Sequence, residues 1–106
     1  MAQNTWNGGV VLGAPVTEWR GVDLERTVTR CWVNDQPGGQ GKTGDAMGHP
    51  FEALAWLANA LARRGKYLRA GEFVFTGSVV ETKWVNRGDR VVMEIERLGT
   101  VEAVFT

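Results

Sequence analysis

Apolar residues recur along this chain with two different periods, and each period predicts an element. From Pro50 onwards, Phe51, Leu54, Ala55, Ala58, Leu61 and Ala62 return every three or four positions, the spacing that gathers side chains on one helix face. Pro50 suits the first helical position, where a backbone N–H is not needed. Glu52 stands near the positive end of the helix dipole, and Arg63 and Arg64 stand near the negative end. Gly65 supplies a left-handed stop. The pattern predicts one main helix over Pro50–Arg64, packed closely on a sheet because leucine and alanine dominate it.

Elsewhere the period is two. Leu24 to Val33 alternates and is rich in β-branched residues, which predicts a strand. Asn34-Asp35-Gln36-Pro37 follows with turn chemistry. Arg90 to Glu96 puts Val91, Met93 and Ile95 on one face and Glu94 and Glu96 on the other. Val101, Ala103 and Phe105 alternate again beyond Gly99, so these two runs predict an antiparallel hairpin. Val10-Val11-Leu12 reads as a strand end closed by Gly13 and Pro15, and Glu72 to Thr76 as a buried strand interrupted at Gly77-Ser78. Gly38 to Gly48 is too glycine-rich to predict regular structure. The fold class is α+β: a mostly antiparallel or mixed β-sheet with one main helix, forming a single domain over residues 1–106.

Charge narrows the partners. Lys and Arg total 12, Asp and Glu total 12, and the net charge is zero. No basic stripe is present for nucleic acid or an anionic membrane. Near-neutrality weakens the repulsion between copies, so a homo-oligomer is expected. The single cysteine, Cys31, cannot form a disulfide within the chain, which matches a reducing compartment. The N-terminus shows no basic segment followed by an apolar run, and no apolar stretch reaches about 18 residues; a cytoplasmic location is the expectation. Five tryptophans stand out, and Trp6, Trp19 and Trp84 are candidates for an interface.

Candidate chemistry is sparse. Gly39-Gln40-Gly41-Lys42-Thr43-Gly44 matches the dinucleotide pattern G-x-G-x-x-G. That pattern needs a helix starting on its last glycines and an acidic residue about 20 positions later. The helix starts too late and the acid is missing, so a flexible glycine turn is the better reading. Gly41-Lys42-Thr43 imitates the end of a P-loop, but Gln36 stands where the first glycine belongs. His49 has no second histidine to share a metal or a triad with; a helix-entry role outweighs an active-site role beside the helix N-terminus. Thr76-Gly77-Ser78 places two hydroxyls around a glycine, an arrangement able to offer O–H and N–H donors to a carboxylate, or else a bulge with self-satisfied hydroxyls. Asp45, Glu81, Asp89, Glu94 and Glu96 are the candidate carboxylates; Glu94 and Glu96 lie on the face opposite the apolar residues, the usual solvated side.

Several segments taken together resemble one family. Gly48-His49-Pro50-Phe51-Glu52-Ala53-Leu54-Ala55-Trp56-Leu57-Ala58-Asn59 resembles the helix of the 2-keto-4-pentenoate hydratase family, which includes 4-oxalocrotonate decarboxylases within the fumarylacetoacetate hydrolase superfamily. Leu68-Arg69-Ala70-Gly71, Thr76-Gly77-Ser78, Gly88-Asp89 and Leu98-Gly99-Thr100-Val101 resemble its closing series. Asn4, Gly8 and Val11-Leu12-Gly13 resemble its preceding segment, with Gln3 where the family usually has aspartate. The resemblance covers nearly the whole chain but only the C-terminal half of the family, half of a fumarylacetoacetate hydrolase-like β-roll.

The resemblance implies a lyase of aromatic meta-cleavage catabolism, a hydratase or decarboxylase of small 2-oxo acids. The family's Mg²⁺ or Mn²⁺ ligands and catalytic lysine would lie in the N-terminal half. By resemblance, Thr76, Gly77, Ser78, Asn4 and His49 line the substrate pocket, with no catalytic residue and no metal ligand in this chain. The cofactor expected of this chain is accordingly none, and the chain alone is expected to be inactive until an N-terminal half completes it. A free-standing, non-catalytic binding or oligomerising module derived from the same fold is the alternative.

Overall fold

The computed structural model describes residues 8–45 and 47–106. Four strands form one antiparallel sheet in the order β2-β1-β3-β4: β1 is Val28–Val33, β2 Gln36–Lys42, β3 Arg90–Ile95 and β4 Gly99–Val104. One helix, α1, spans Pro50–Ala62 and connects β2 to β3. The α+β class, the single helix and the final hairpin thus form as the sequence predicts.

Turn chemistry sets the registers. Asn34 and Asp35 both take positive φ (51° and 66°), the geometry of a two-residue hairpin turn whose twist matches its strands. The β1–β2 pairing then slips between Cys31 and Trp32, where Cys31 faces Gly39 and Trp32 faces Pro37, leaving Gly38 as the extra residue of a bulge. At the other end of the sheet, Arg97 at φ 65° and Gly99 at φ 124° turn β3 into β4.

Alternation sorts the two faces. Thr29 pairs with Ile95 and Cys31 with Met93, and Met93 in turn pairs with Val101; these side chains share one face with Gly39 and Gly41 of β2. Thr29 and Cys31 are 2% and 3% exposed. The opposite face carries charged side chains beside Trp32 and Val92. Arg30 reaches Glu94 at 3.1 Å and Glu96 at 3.6 Å, so both glutamates serve an exposed ion pair. Arg90 is held by Glu102 and Asp35 at 2.8 and 2.9 Å. Its guanidinium, hydrogen-bonded to Glu102, lowers that carboxyl's pKa. Asp89 is likewise lowered, first by the Asn86 N–H and then by the Asn34 amide.

Several expectations need correction. Gly38–Gly48 is not irregular throughout, because β2 runs through Gly38, Gly39 and Gly41 and a 3₁₀ turn follows at Thr43–Asp45. The glycines are there for close approach. A Cβ on Gly41 would stand 1.9 Å from the Val79 carbonyl oxygen, and one on Gly44 would stand 2.3 Å from that of Glu25. The strand expected from Leu24 begins only at Val28, because Asp23 Oδ1 accepts from the N–H groups of Glu25 and Arg26 and folds residues 23–26 into a turn. Val10-Val11-Leu12 is exposed chain without strand pairing, although Gly13 lies against Val101. Glu72 to Thr76 is not a buried strand; Phe73 and Phe75 are 71% and 67% exposed, because among the described residues no strand lies beside it to pair with its backbone.

The helix stands apart from the sheet. It has no buried residue, so the expected close packing is absent. Phe51 meets Trp19 edge-on at 5.4 Å between ring centroids. Trp84 remains 86% exposed. Trp6 lies outside the described residues. The radius of gyration is 14.8 Å, against about 13 Å for a compact domain of this length. Open space lies between α1, the sheet and the 66–89 segment.

Candidate substrate pocket

The gap holds three open cavities, and Thr76 borders all of them. The first, about 580 Å³, lies between α1 and residues 72–77. The second, about 400 Å³, is almost wholly apolar and reaches from Thr76 to Trp19, Phe51 and Leu98. The third, about 500 Å³, is floored by Thr29, Met93 and Ile95 and walled by Thr76, Gly77 and Ser78.

Sequence explains how the third cavity is built. Gly77 takes φ 114°, a backbone conformation that glycine adopts freely, and it turns the chain between the two hydroxyl residues. The Ser78 hydroxyl donates to the Val80 carbonyl at 2.6 Å. That fixes its orientation and leaves its oxygen as an acceptor. Val79 then crosses the sheet over Gly41, so the glycine-rich strand carries the loop on its surface. The N-terminus of α1 adjoins the cavity through Pro50, and its dipole favours an anion there.

His49 takes the helix-entry role. Its Nδ1 accepts from the Phe51 N–H at 3.0 Å, and its carbonyl accepts from Glu52. The structure does not bring its side chain into the lining of the three cavities. Asn4 lies outside the described residues. Of the sequence-predicted site residues, Thr76, Gly77 and Ser78 line the third cavity.

Thr29 is the residue that sequence reading missed. It looks like an ordinary β-branched strand residue, yet its Oγ1 is buried with no hydrogen-bond partner. Such a group costs about 1–3 kcal/mol. Its neighbours on the floor, Met93 and Ile95, are apolar. The available signal was its register: it alternates with Cys31 on the face that carries Met93 and Ile95.

Carboxylates do not gather here. Asp45 accepts from the Lys42 N–H, Asp89 is bound to Asn34 and Asn86, Glu81 lies 3.8 Å from Lys83, and Glu94 and Glu96 face Arg30. Among the described residues, no three His, Cys, Asp or Glu side chains converge as a metal site. The donors that the described residues bring together do not by themselves fit a divalent cation.

The fumarylacetoacetate (FAA) hydrolase C-terminal model matches residues 2–106. The chain belongs to that family. A 2-hydroxyhexa-2,4-dienoate hydratase of Comamonas testosteroni is 38% identical over the whole chain, which spans 40% of that enzyme's length. The 4-oxalocrotonate decarboxylase of Pseudomonas putida G7, solved with calcium and acetate, superposes with a TM-score of 0.76 at 34% identity, over 80% of this chain and 33% of the decarboxylase. The same decarboxylase complexed with magnesium and adipate gives an equal score. As a member of the FAA hydrolase C-terminal family, the chain shares the four-stranded antiparallel sheet and helix of these relatives. Among the described residues, no helix is long and apolar enough to cross a membrane.

Proposed function

We propose that this chain is the substrate-pocket part of a 2-oxo-acid hydratase or decarboxylase, a lyase of aromatic meta-cleavage catabolism, and that it is catalytically inert by itself. The observation that carries this reading is the cavity where Thr76, Gly77 and Ser78 meet the N-terminus of α1 over the sheet's apolar face. A carboxylate leaving water needs several donors at once. The Thr76 hydroxyl, the loop N–H groups and the helix dipole supply that combination, while the apolar cavity beyond Thr76 accommodates the hydrocarbon end. The chain binds and orients; the Mg²⁺ or Mn²⁺ chemistry implied for the family requires acidic ligands that the described residues do not bring together.

Two measurements test this. Titration of 2-oxopentanoate into the isotopically labelled chain is expected to shift the amide resonances of Thr76, Gly77 and Ser78; unmoved signals at saturating acid would refute the pocket. Assay of 2-hydroxy-2,4-pentadienoate with Mg²⁺ is expected to show no turnover. Hydration at the rate of an intact enzyme would overturn the inert-half reading.

Exposed Phe73, Phe75 and Trp84 favour a second reading. In it the chain persists in the cytoplasm as a non-catalytic module that associates with copies of itself through these rings.

A further inference from the structure

We propose that residues 73–75 are an open strand edge, and that a polypeptide equivalent to the N-terminal part of the chain's longer relatives docks there by adding a β-strand and covering the Phe73 and Phe75 rings. The inference rests on the reading of the chain as one part of a lyase, and deepens it by naming the surface where the other part attaches.

Three observations carry it. Among the described residues, no backbone–backbone hydrogen bond involves residues 73–78, so this strand-like run keeps its donors and acceptors free. Its side chains alternate: Val74 and Thr76 are half-buried, whereas Phe73 and Phe75 are exposed. Free backbone beside outward apolar rings is a template for strand addition. A lipid surface or a small molecule would cover the rings and leave the N–H and C=O groups unpaired; a strand satisfies both. The apolar strip is continuous with α1, which has no buried residue and which faces the two rings across the first cavity with Ala53, Trp56 and Leu57. The length of the relatives selects the occupant. This chain spans 40% of the Comamonas testosteroni hydratase, and the matching family model is a C-terminal one, so the larger part of that enzyme precedes the matched region. That part is also the source of the acidic ligands that the described residues do not bring together. Seated on residues 73–75, it adjoins the loop that begins at Thr76.

The test supplies the other part as a separate molecule. The region of the Comamonas testosteroni hydratase that precedes the match, co-expressed with the full chain, should co-purify with it as a one-to-one complex. A new strand bonds every second amide along an edge, so hydrogen exchange at Val74, or at Phe73 and Phe75, should slow by about hundredfold or more. Replacing Phe73 and Phe75 with serine should weaken the complex by at least about tenfold while leaving the β3–β4 amides unchanged, because both rings are exposed in the chain alone. Amides in this run that exchange as fast with the added polypeptide as without it overturn the docking. Self-association through the rings that the added polypeptide does not displace assigns the edge to a second copy and overturns it equally. Should the separate polypeptide prove insoluble, the same exchange is read in a chimera that joins it to this chain, and a chimera that does not fold counts against the docking. Shifts at Thr76, Gly77 and Ser78 on adding 2-oxopentanoate report on the pocket separately, so the docking can fail while the pocket stands, and the pocket can fail while the docking stands.

Discussion

Gly41 shows how much one hydrogen atom can carry. Its Cβ position lies 1.9 Å from a backbone oxygen of Val79, and backbone cannot swing aside as the end of a flexible side chain can. Gly41→Ala is expected to destabilise the chain by about 1–3 kcal/mol, read from the urea midpoint. It should also weaken 2-oxo-acid binding by pushing the 76–80 loop off the sheet; an unchanged midpoint would show that the loop does not lie on Gly41. Asp89 makes the pH prediction. Its hydrogen bonds from the Asn86 N–H and the Asn34 amide hold its carboxyl below the usual carboxylate range. A depressed carboxylate contributes stability above its unfolded pKa, and that contribution fades as pH falls through the folded value. The hairpin ends around Asn34 and Arg90 should therefore loosen in strong acid, below about pH 4. Amide exchange across this region should show it, and Asp89→Asn should flatten that pH dependence. Loosening on raising pH from 5 to 7 would contradict the assignment.

Elements whose signals are local were legible in the sequence. The helix could be read because its period, Pro50 at its start and Gly65 at its end all agree. Gly65 takes φ 69° and donates to Ala62, while Lys66 donates to Leu61, closing the C-terminus in a Schellman arrangement. His49 closes the other end, and His49→Ala should cost about 1 kcal/mol of stability, measured by thermal or urea unfolding; a neutral effect would mean that water caps Phe51 equally well. The final hairpin was legible for the same reason. What stayed hidden depended on distant partners. Nothing local in Gly38-Gly39-Gln40-Gly41 reveals that Val79 will cross it. Nothing local in Phe73-Val74-Phe75 reveals that a strand-like run will find no neighbour. The site divides in the same way: Thr76-Gly77-Ser78 is a visible motif, whereas Thr29 gains its meaning only from the register with Ile95 and from the cavity above it.

At the scale of the whole molecule, apolar surface faces outward. Phe73, Phe75 and Trp84 are all more than two-thirds exposed, and the net charge of zero offers little repulsion between copies. Sedimentation velocity should show association that rises with concentration, and replacing Phe73 and Phe75 with serine should shift the chain towards monomer. A wild-type chain that stays monomeric at its highest attainable concentration would count against association through these rings.

Thr76 has a consequence that reaches beyond its hydroxyl. Because its side chain is a common wall of three hollows, enlarging it would shrink all of them at once, and trimming it would merge them. On the proposed reading, the acid end, the hydrocarbon end and the outer groove would be tuned through this single position, and a change of ligand size accommodated there would be felt on the surface of the protein as well as in its interior.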